Sequence, residues 1–351
     1  MNILLHVKYA RRFLMKRRLT AIVIVLLMVM TSLVGCKKDS KLTKITLNEV
    51  AHSIFYAPQY VALELGYFED EGLDVELVTG FGADKTMTAV LSGEAEIGFM
   101  GSESSIYVYN EGAEDYVVNF AQLTQRAGNF LVAREANDNF KWTDLVGKTV
   151  IGGRAGGMPQ MVFEYILKKN GIDPTKDLTI IQNIDFGLTA EAFSSGTGDY
   201  TVEFEPGATA LEMEGKGYVV DSLGVESGKV PYTAYSARKS YIEKNPEIIQ
   251  KFANAIQKGL DYVNSHSPED IAKIIKPQFK ETEDEKIVSI IKRYYDQGTW
   301  KDNTVFEEES FDLLQDILLE AGVIEGKVPY ADLVTTESVS YTHLRAHETL
   351  S

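Results

Sequence analysis

The stretch ITLNEVAHSIFYAPQYVALELGYFEDEGLDVELVTG, residues 45–80, changes its apolar spacing twice. Ile45–His52 alternates as a strand does. Pro58 opens a helix, where its missing N–H costs nothing. Tyr60, Val61, Leu63 and Leu65 give that helix an apolar face, and Gly66 ends it. Asp74–Gly80 reads as a second strand. Strand, helix, strand within so few residues is the unit from which parallel sheets are built.

The alternation continues along the chain. GADKTMTAVLSGEAEIGFMG predicts a helix, a turn at Gly93 and a strand at Ile97–Met100. A helix follows with Ser102 as its N-cap. VVNFAQLT and NFLVAR read as strands. A strand ending at Val150 and Ile151 leads through the glycine-rich turn Gly152–Gly157 into a helix from Pro159 to Lys169. LTIIQNI is a strand, LTAEAFSSG a short helix, and YTVEFEPGATALEMEGKGYVV gives strand, helix, strand. PYTAYSARKSYIEKNPEIIQKFANAIQKGLDYVNSH starts extended and becomes a long amphipathic helix. Strands alternating with helices predict an α/β fold with mostly parallel sheets.

The front of the chain reads differently. Lys16, Arg17 and Arg18 precede the apolar run Leu19–Val34, and LVGC ends at Cys36, the single cysteine. Basic start, apolar core and small-residue exit are the layout of a secretory signal. The run is shorter than the roughly 20 residues that comfortably span a bilayer. LVGC resembles a bacterial lipobox, which makes Cys36 a lipidation site, residues 1–35 a signal and 36–43 a tether. Two acyl chains suffice for stable anchoring, so the expected location is the extracytoplasmic face of a cell membrane, as in a Gram-positive bacterium. Met15 makes a more compact signal start than Met1.

The chain has 351 residues and a formal charge of −16. The leader holds six positives and no acid, so without it the charge falls to −22. An acidic body of that kind lacks the basic face that nucleic acid requires. Length favours two domains. The ending SVSYTHLRAHETLS has no apolar period, and residues 339–351 are expected to be disordered or artefactual. His343 and His347 stand four apart, but no third ligand is evident, so no metal and no cofactor are expected.

Four stretches now converge: YAPQYVALELGYFEDEGLDVELV, MTAVLSGEAEIGFMGSESSIY, DLVGKTVIGGRAGGMPQMVFEYILKKNGID and FEPGATALEMEGKGYVV. They resemble the NMT1/THI5-like solute-binding proteins of ABC importers, across residues 44–335. That group includes binders of aliphatic sulfonates, taurine, nitrate and thiamine-pyrimidine precursors. The resemblance implies a two-lobed type II periplasmic-binding fold: lobe 1 at 44–133 plus 236–335, lobe 2 at 134–235. Hinge crossovers would fall near Ala133–Arg134 and Tyr235–Ser236. It also implies a monomer that closes on its solute and docks on a permease with its ATPase.

Ligands of open α/β sheets bind at the carboxyl ends of strands, beside helix N-termini. Four such places stand out. The first holds His52, Phe55 and Tyr56, aromatic groups able to wall a planar solute. The second is Gly101, Ser102 and Glu103, where free helix N–H groups can hold an anion or a carbonyl. The third runs from Arg154 through Gly156, Gly157 and Met158; glycines admit close backbone approach, and the Gly-Lys-Ser/Thr ending of a nucleotide loop is absent. The fourth is Glu203-Phe204-Glu205-Pro206, with Glu205 as the acceptor. Asp185 and Phe186 follow another strand, and Arg126 stands in a turn at the cleft edge. Acids are as common as bases at these tips, which favours a planar or amine-bearing solute such as a pyrimidine-type vitamin precursor. The alternatives are a sulfonate- or nitrate-type anion in the same fold, a pyrimidine-synthase-like enzyme, a sensory module and a structural lipoprotein. The synthases use a cysteine-rich iron motif, and the single cysteine here lies in the leader; no enzyme is expected.

Overall fold

The computed structural model describes residues 42–185 and 187–337. Cys36, Phe186, His343 and His347 lie outside the described residues, as do the signal and the tail.

Among the described residues, ten strands form two five-stranded sheets. They are β1 Thr43–Glu49, β2 Leu73–Thr79, β3 Ile97–Gly101, β4 Val117–Thr124, β5 Phe130–Ala133, β6 Thr149–Ile151, β7 Thr179–Ile181, β8 Tyr200–Glu203, β9 Tyr218–Ser222 and β10 Thr233–Arg238. The first sheet runs β2-β1-β3-β10-β4 and the second β7-β6-β8-β5-β9. Each sheet has a single reversed strand, β10 in the first and β5 in the second. The other four strands of each sheet point one way, as the strand–helix alternation requires.

The opening stretch folds as read. β1 and β2 pair in parallel from Thr43 opposite Leu73 to Glu49 opposite Thr79. The helix between them, Ala57–Glu64, carries Pro58 in its first turn. Gly66 stops it with φ of 72°, a left-handed conformation that only glycine adopts cheaply. Elsewhere the strands are shorter than expected: LTIIQNI pairs only at Thr179–Ile181.

The crossovers differ from the expected boundaries. β5 is already paired in the second sheet, and β10 has already returned to the first. The chain therefore passes between sheets within 125–129 and 223–232, not at Ala133–Arg134 and Tyr235–Ser236. The physical reason is that the reversed strand of each sheet is the first one laid down after the chain crosses. A strand pattern shows neither its direction nor its sheet.

β4 lies at the edge of its sheet, yet all eight of its residues are buried. Bridges from Val334 to Asn119 and from Trp300 to Thr124 cover its free edge, which closes a site for unwanted pairing. The long helix Pro246–Ser265 packs Ile249, Phe252, Ala253, Ile256, Leu260 and Val263 inward, at helical spacing. The hydrophobic core is continuous through both sheets. Phe55, Tyr294 and Phe130 bridge them, with ring centroids 5.2 and 5.7 Å apart in succession.

Candidate functional site

The carboxyl ends of β1, β2, β3, β6, β7 and β8 converge on one cavity of about 400 Å³ between the sheets. A more open concavity of about 530 Å³ lies between β9 and the helix Asp284–Asp296, away from these strand ends. The cavity between the sheets is the candidate site, because backbone groups at strand ends and helix starts are unpaired there.

His52, Phe55, Tyr56, Gly101, Glu103, Arg154, Gly157, Met158 and Glu205 all line it. Phe55 is at once wall and core. It is fully buried, its carbonyl accepts from the Trp300 indole at 2.8 Å, and its ring packs edge-on to Tyr232 and tilted against Tyr56 and Tyr294. Gly128 passes so close beneath it that a Cβ there would meet the ring at 2.7 Å. At the rim stands Phe81, 73 % exposed, with φ of 56°. Bulky residues in the left-handed region carry strain, and such strain gathers at binding sites.

His52 sits on a buried carboxylate. Its Nδ1 lies 2.8 Å from Glu49 Oε1 and its Nε2 lies 3.0 Å from the Gln278 carbonyl. Both ring nitrogens face acceptors, so the doubly protonated ring satisfies both. The Glu49 hydrogen bond raises the His52 pKa against the effect of burial. Glu49 also accepts from Gln59, Tyr60 and Thr79 at 2.7, 2.8 and 3.0 Å. His52 is thereby fixed at the cavity edge as part of a structural network.

The three carboxylates of the cavity have different fates. Glu205 is neutralised: it receives Arg293 Nη1 at 2.5 Å and the Thr209 amide and hydroxyl at 2.9 Å each. Its partner comes from the helix Asp284–Asp296, so this ion pair holds the C-terminal helices onto the second sheet. Glu205 is therefore not the free acceptor expected from the sequence. Glu203 takes its place. It is buried, lines the cavity and accepts from the Thr201 and Thr189 hydroxyls at 2.7 and 3.0 Å, with no cation beside it among the described residues. Burial pushes its pKa up to about 7. The signal was present in the sequence: Thr201 and Glu203 stand two apart on β8 and share a face. Glu103 is also driven up to about 7 by burial. Its Oε2 has no hydrogen-bond partner among the described residues.

Four expected residues are placed elsewhere. Ser102 takes the N-cap position of the helix Glu103–Asn110, as expected, but its buried hydroxyl makes no capping bond; it donates to the Pro231 carbonyl, tying β3 to the second crossover. Arg126 donates from Nη1 to the Gly224 carbonyl at 3.0 Å, joining the two crossovers behind the cavity. Gly156 gives its N–H to Gln160 at 2.9 Å and shapes the turn instead of lining the pocket. Asp185 is exposed, and its carbonyl accepts from Leu188. Arg154 does reach the cavity, but at the solvent rim, 3.4 Å from Asp84. Phe204, from the fourth stretch, lines the cavity, and so do Asn129 and Tyr232, which the sequence does not mark. Asn129 and Tyr232 belong to the crossovers, where no periodicity marks them.

Two five-stranded sheets in this order, with a cavity at their strand ends, define a type II periplasmic-binding-protein fold. The aliphatic sulphonate binding protein SsuA from Escherichia coli shares it, with a TM-score of 0.68 at 17 % identity over 85 % of this chain and 99 % of that one. The chain belongs to the NMT1/THI5-like family, whose model matches residues 54–270. Among relatives, the "Putative binding protein YtlA" of Bacillus subtilis (strain 168) is 49 % identical over 88 % of this chain and 92 % of its own length. The formylaminopyrimidine-binding protein of Halalkalibacterium halodurans is 24 % identical over 77 % of this chain and 85 % of its own.

Proposed function

We propose that the protein is the extracytoplasmic solute-binding component of an ABC importer, which captures a planar, nitrogen-containing solute between its two lobes and presents it to a permease and its ATPase. The observation that carries the solute class is the cavity lining. Phe55, Tyr56, Phe204 and Tyr232 surround it, and Glu103 and Glu203 are buried in it without a cation among the described residues. Buried carboxylates of this kind reward a ligand that brings N–H donors. The relative named as a formylaminopyrimidine-binding protein supports this solute class, and the Bacillus relative supports a binding role. Closure would turn one lobe on the other about the crossovers at 125–129 and 223–232.

A second reading, capture of a sulfonate or nitrate, has its own support. Arg154 and the N-terminus of the helix Met158–Lys169 stand at the rim, and SsuA shares the fold. Against it, an oxyanion in the cavity would meet two carboxyl groups and no buried cation among the described residues.

A thermal-shift screen with aminopyrimidines, alkanesulfonates and nitrate separates the two. A ligand at 100 times its Kd stabilises by about 2.7 kcal/mol. A shift with aminopyrimidines alone supports the first reading; a shift with sulfonates alone replaces it with the second.

The leader carries a further proposal: residues 1–35 direct export, and Cys36 receives the lipid that tethers a monomeric binding protein to the membrane. Among the described residues no helix is long and apolar enough to span a bilayer. Cys36→Ser is expected to move the protein from the membrane fraction to the soluble fraction. Retention of the unlipidated variant in the membrane would contradict the tether.

A further inference from the structure

We propose that His52 is a proton-operated clasp. Its imidazolium holds the turn Lys276–Gln278 against the first sheet, and loss of one proton loosens that turn and, through the helix Asp284–Asp296, the joint between the lobes. The proposal goes beyond capture of a solute and does not depend on which solute the cavity takes.

The hydrogen-bond geometry requires two protons on the ring. Nε2 lies 3.0 Å from the Gln278 backbone carbonyl, which can only accept. Nδ1 lies 2.8 Å from Glu49 Oε1. Glu49 is fully buried and also receives Gln59, Tyr60 and Thr79, and a carboxylate surrounded by donors is held ionised. A neutral imidazole would turn a lone pair toward one of these two oxygens; the imidazolium satisfies both. The ring is stacked on Phe279 with centroids 4.8 Å apart and edge-on to Tyr60 at 4.9 Å, which fixes its plane.

The clasped turn is a joint between helices. The helix Pro268–Ile275 runs into it, and the helix Asp284–Asp296 follows it. That second helix grips the other lobe. Arg293 pairs with Glu205 and Glu212, and the Tyr294 hydroxyl donates to the Gly128 carbonyl at 3.1 Å. Beside the clasp, the Ser53 hydroxyl donates to the Glu205 carbonyl at 3.2 Å. The segment that holds the turn and the helix that leaves it therefore meet at one residue of the second lobe.

The surroundings give the clasp its direction. The Glu49 bond raises the His52 pKa above its ordinary value, so the clasp is shut in acid and opens as pH rises through the raised value. Tyr56, Tyr60 and Tyr235, grouped around Glu49, are kept protonated by burial. On the side of the turn, the Gln278 side chain donates to Glu64 at 2.5 Å, and Lys276 pairs with Asp284 at 2.8 Å. Of these residue types, histidine is the one that ordinarily changes charge near neutral pH. Glu103 and Glu203 titrate near 7 elsewhere in the cavity, so the clasp is read locally, at the turn itself.

Two measurements on the full chain test this. Nitrogen-15 NMR of the His52 ring at pH 6.5, where an ordinary imidazole is half protonated, is expected to show both nitrogens mostly protonated. A ring half protonated or less at that pH overturns the clasp. Hydrogen exchange, corrected for its intrinsic pH dependence, is then followed at the Phe279 and Thr282 amides, which bond to the Lys276 and Phe279 carbonyls. Amides of the helix Pro246–Ser265 serve as the reference for global stability. Relative to them, protection at the turn is expected to fall about ten-fold as His52 loses its proton, the effect of losing one charge-assisted hydrogen bond. The Gln297 and Gly298 amides, at the far end of the second helix, are expected to follow. His52→Gln is expected to show the low protection at every pH. Wild-type protection that ignores the titration overturns the clasp, and so does a wild-type pH response in His52→Gln. A fall confined to Phe279 and Thr282 overturns the link to the lobe joint. Should His52→Gln not fold, the two wild-type measurements decide.

Discussion

Glu203 and Glu205 are two residues apart, and their chemistry is opposite. Glu205 meets Arg293 and two donors from Thr209, whereas Glu203 meets only hydroxyls. The difference is written in pH dependence. Glu103 and Glu203 have folded pKa values of about 7 against 4.5 in the unfolded chain. Above 4.5 the unfolded chain releases these protons first, so the folded state loses relative stability as pH rises. The loss is complete above about 7. Each group accounts for on the order of 3 kcal/mol of it. His52 acts in the same direction, because its raised pKa gives stability that is present in acid and lost at higher pH. Asp115, lowered by its bonds to Ser240 despite burial, titrates below 3.8 and so outside this window. Urea midpoints at pH 5 and pH 8 should therefore drop for the wild type and drop less for Glu103→Gln and for Glu203→Gln. An equal drop in all three proteins would show that the two carboxyls are solvated.

At the scale of the element, Gly259 in the helix Pro246–Ser265 shows how packing overrides propensity. Alanine in mid-helix is ordinarily better than glycine by about 1 kcal/mol. Here a Cβ would lie 2.2 Å from the Pro58 carbonyl oxygen, at the crossing with the helix Ala57–Glu64. The missing side chain is what lets the two helices approach. Gly259→Ala is expected to destabilise by about 1–3 kcal/mol, as overpacking does, read as a lowered thermal midpoint. A raised midpoint would mean that the helices are not in close contact. The amphipathic face of this helix was legible from its spacing. That Gly259 is a contact and not a weak point was not, because Pro58 is 201 positions away in the chain.

On the scale of the whole molecule, two sheets share one core. The bridge of Phe55, Tyr294 and Phe130, the Arg293–Glu205 pair and the Arg126–Gly224 bond all join parts of the chain that are distant in sequence. Units that share so much buried surface unfold together. Calorimetry in the absence of ligand should show one unfolding transition whose calorimetric and van't Hoff enthalpies agree. Two separable transitions would mean that the lobes are energetically independent.

The amino-acid sequence by itself determined the order of strands and helices, their α/β class and the strand-end positions of most cavity residues. Those follow from local quantities: apolar period, Pro58 at a helix start, Gly66 at a helix stop. The tertiary structure decided where the chain crosses between sheets and which strand of each runs backwards. It also decided which acids remain uncompensated. Glu205 is neutralised by an arginine 88 residues away, and Asn129 gains its orientation from a tyrosine 103 residues away. Charge state and donor direction in a buried pocket are set by partners and by exclusion of water. Both come into being only when distant segments close around the same space.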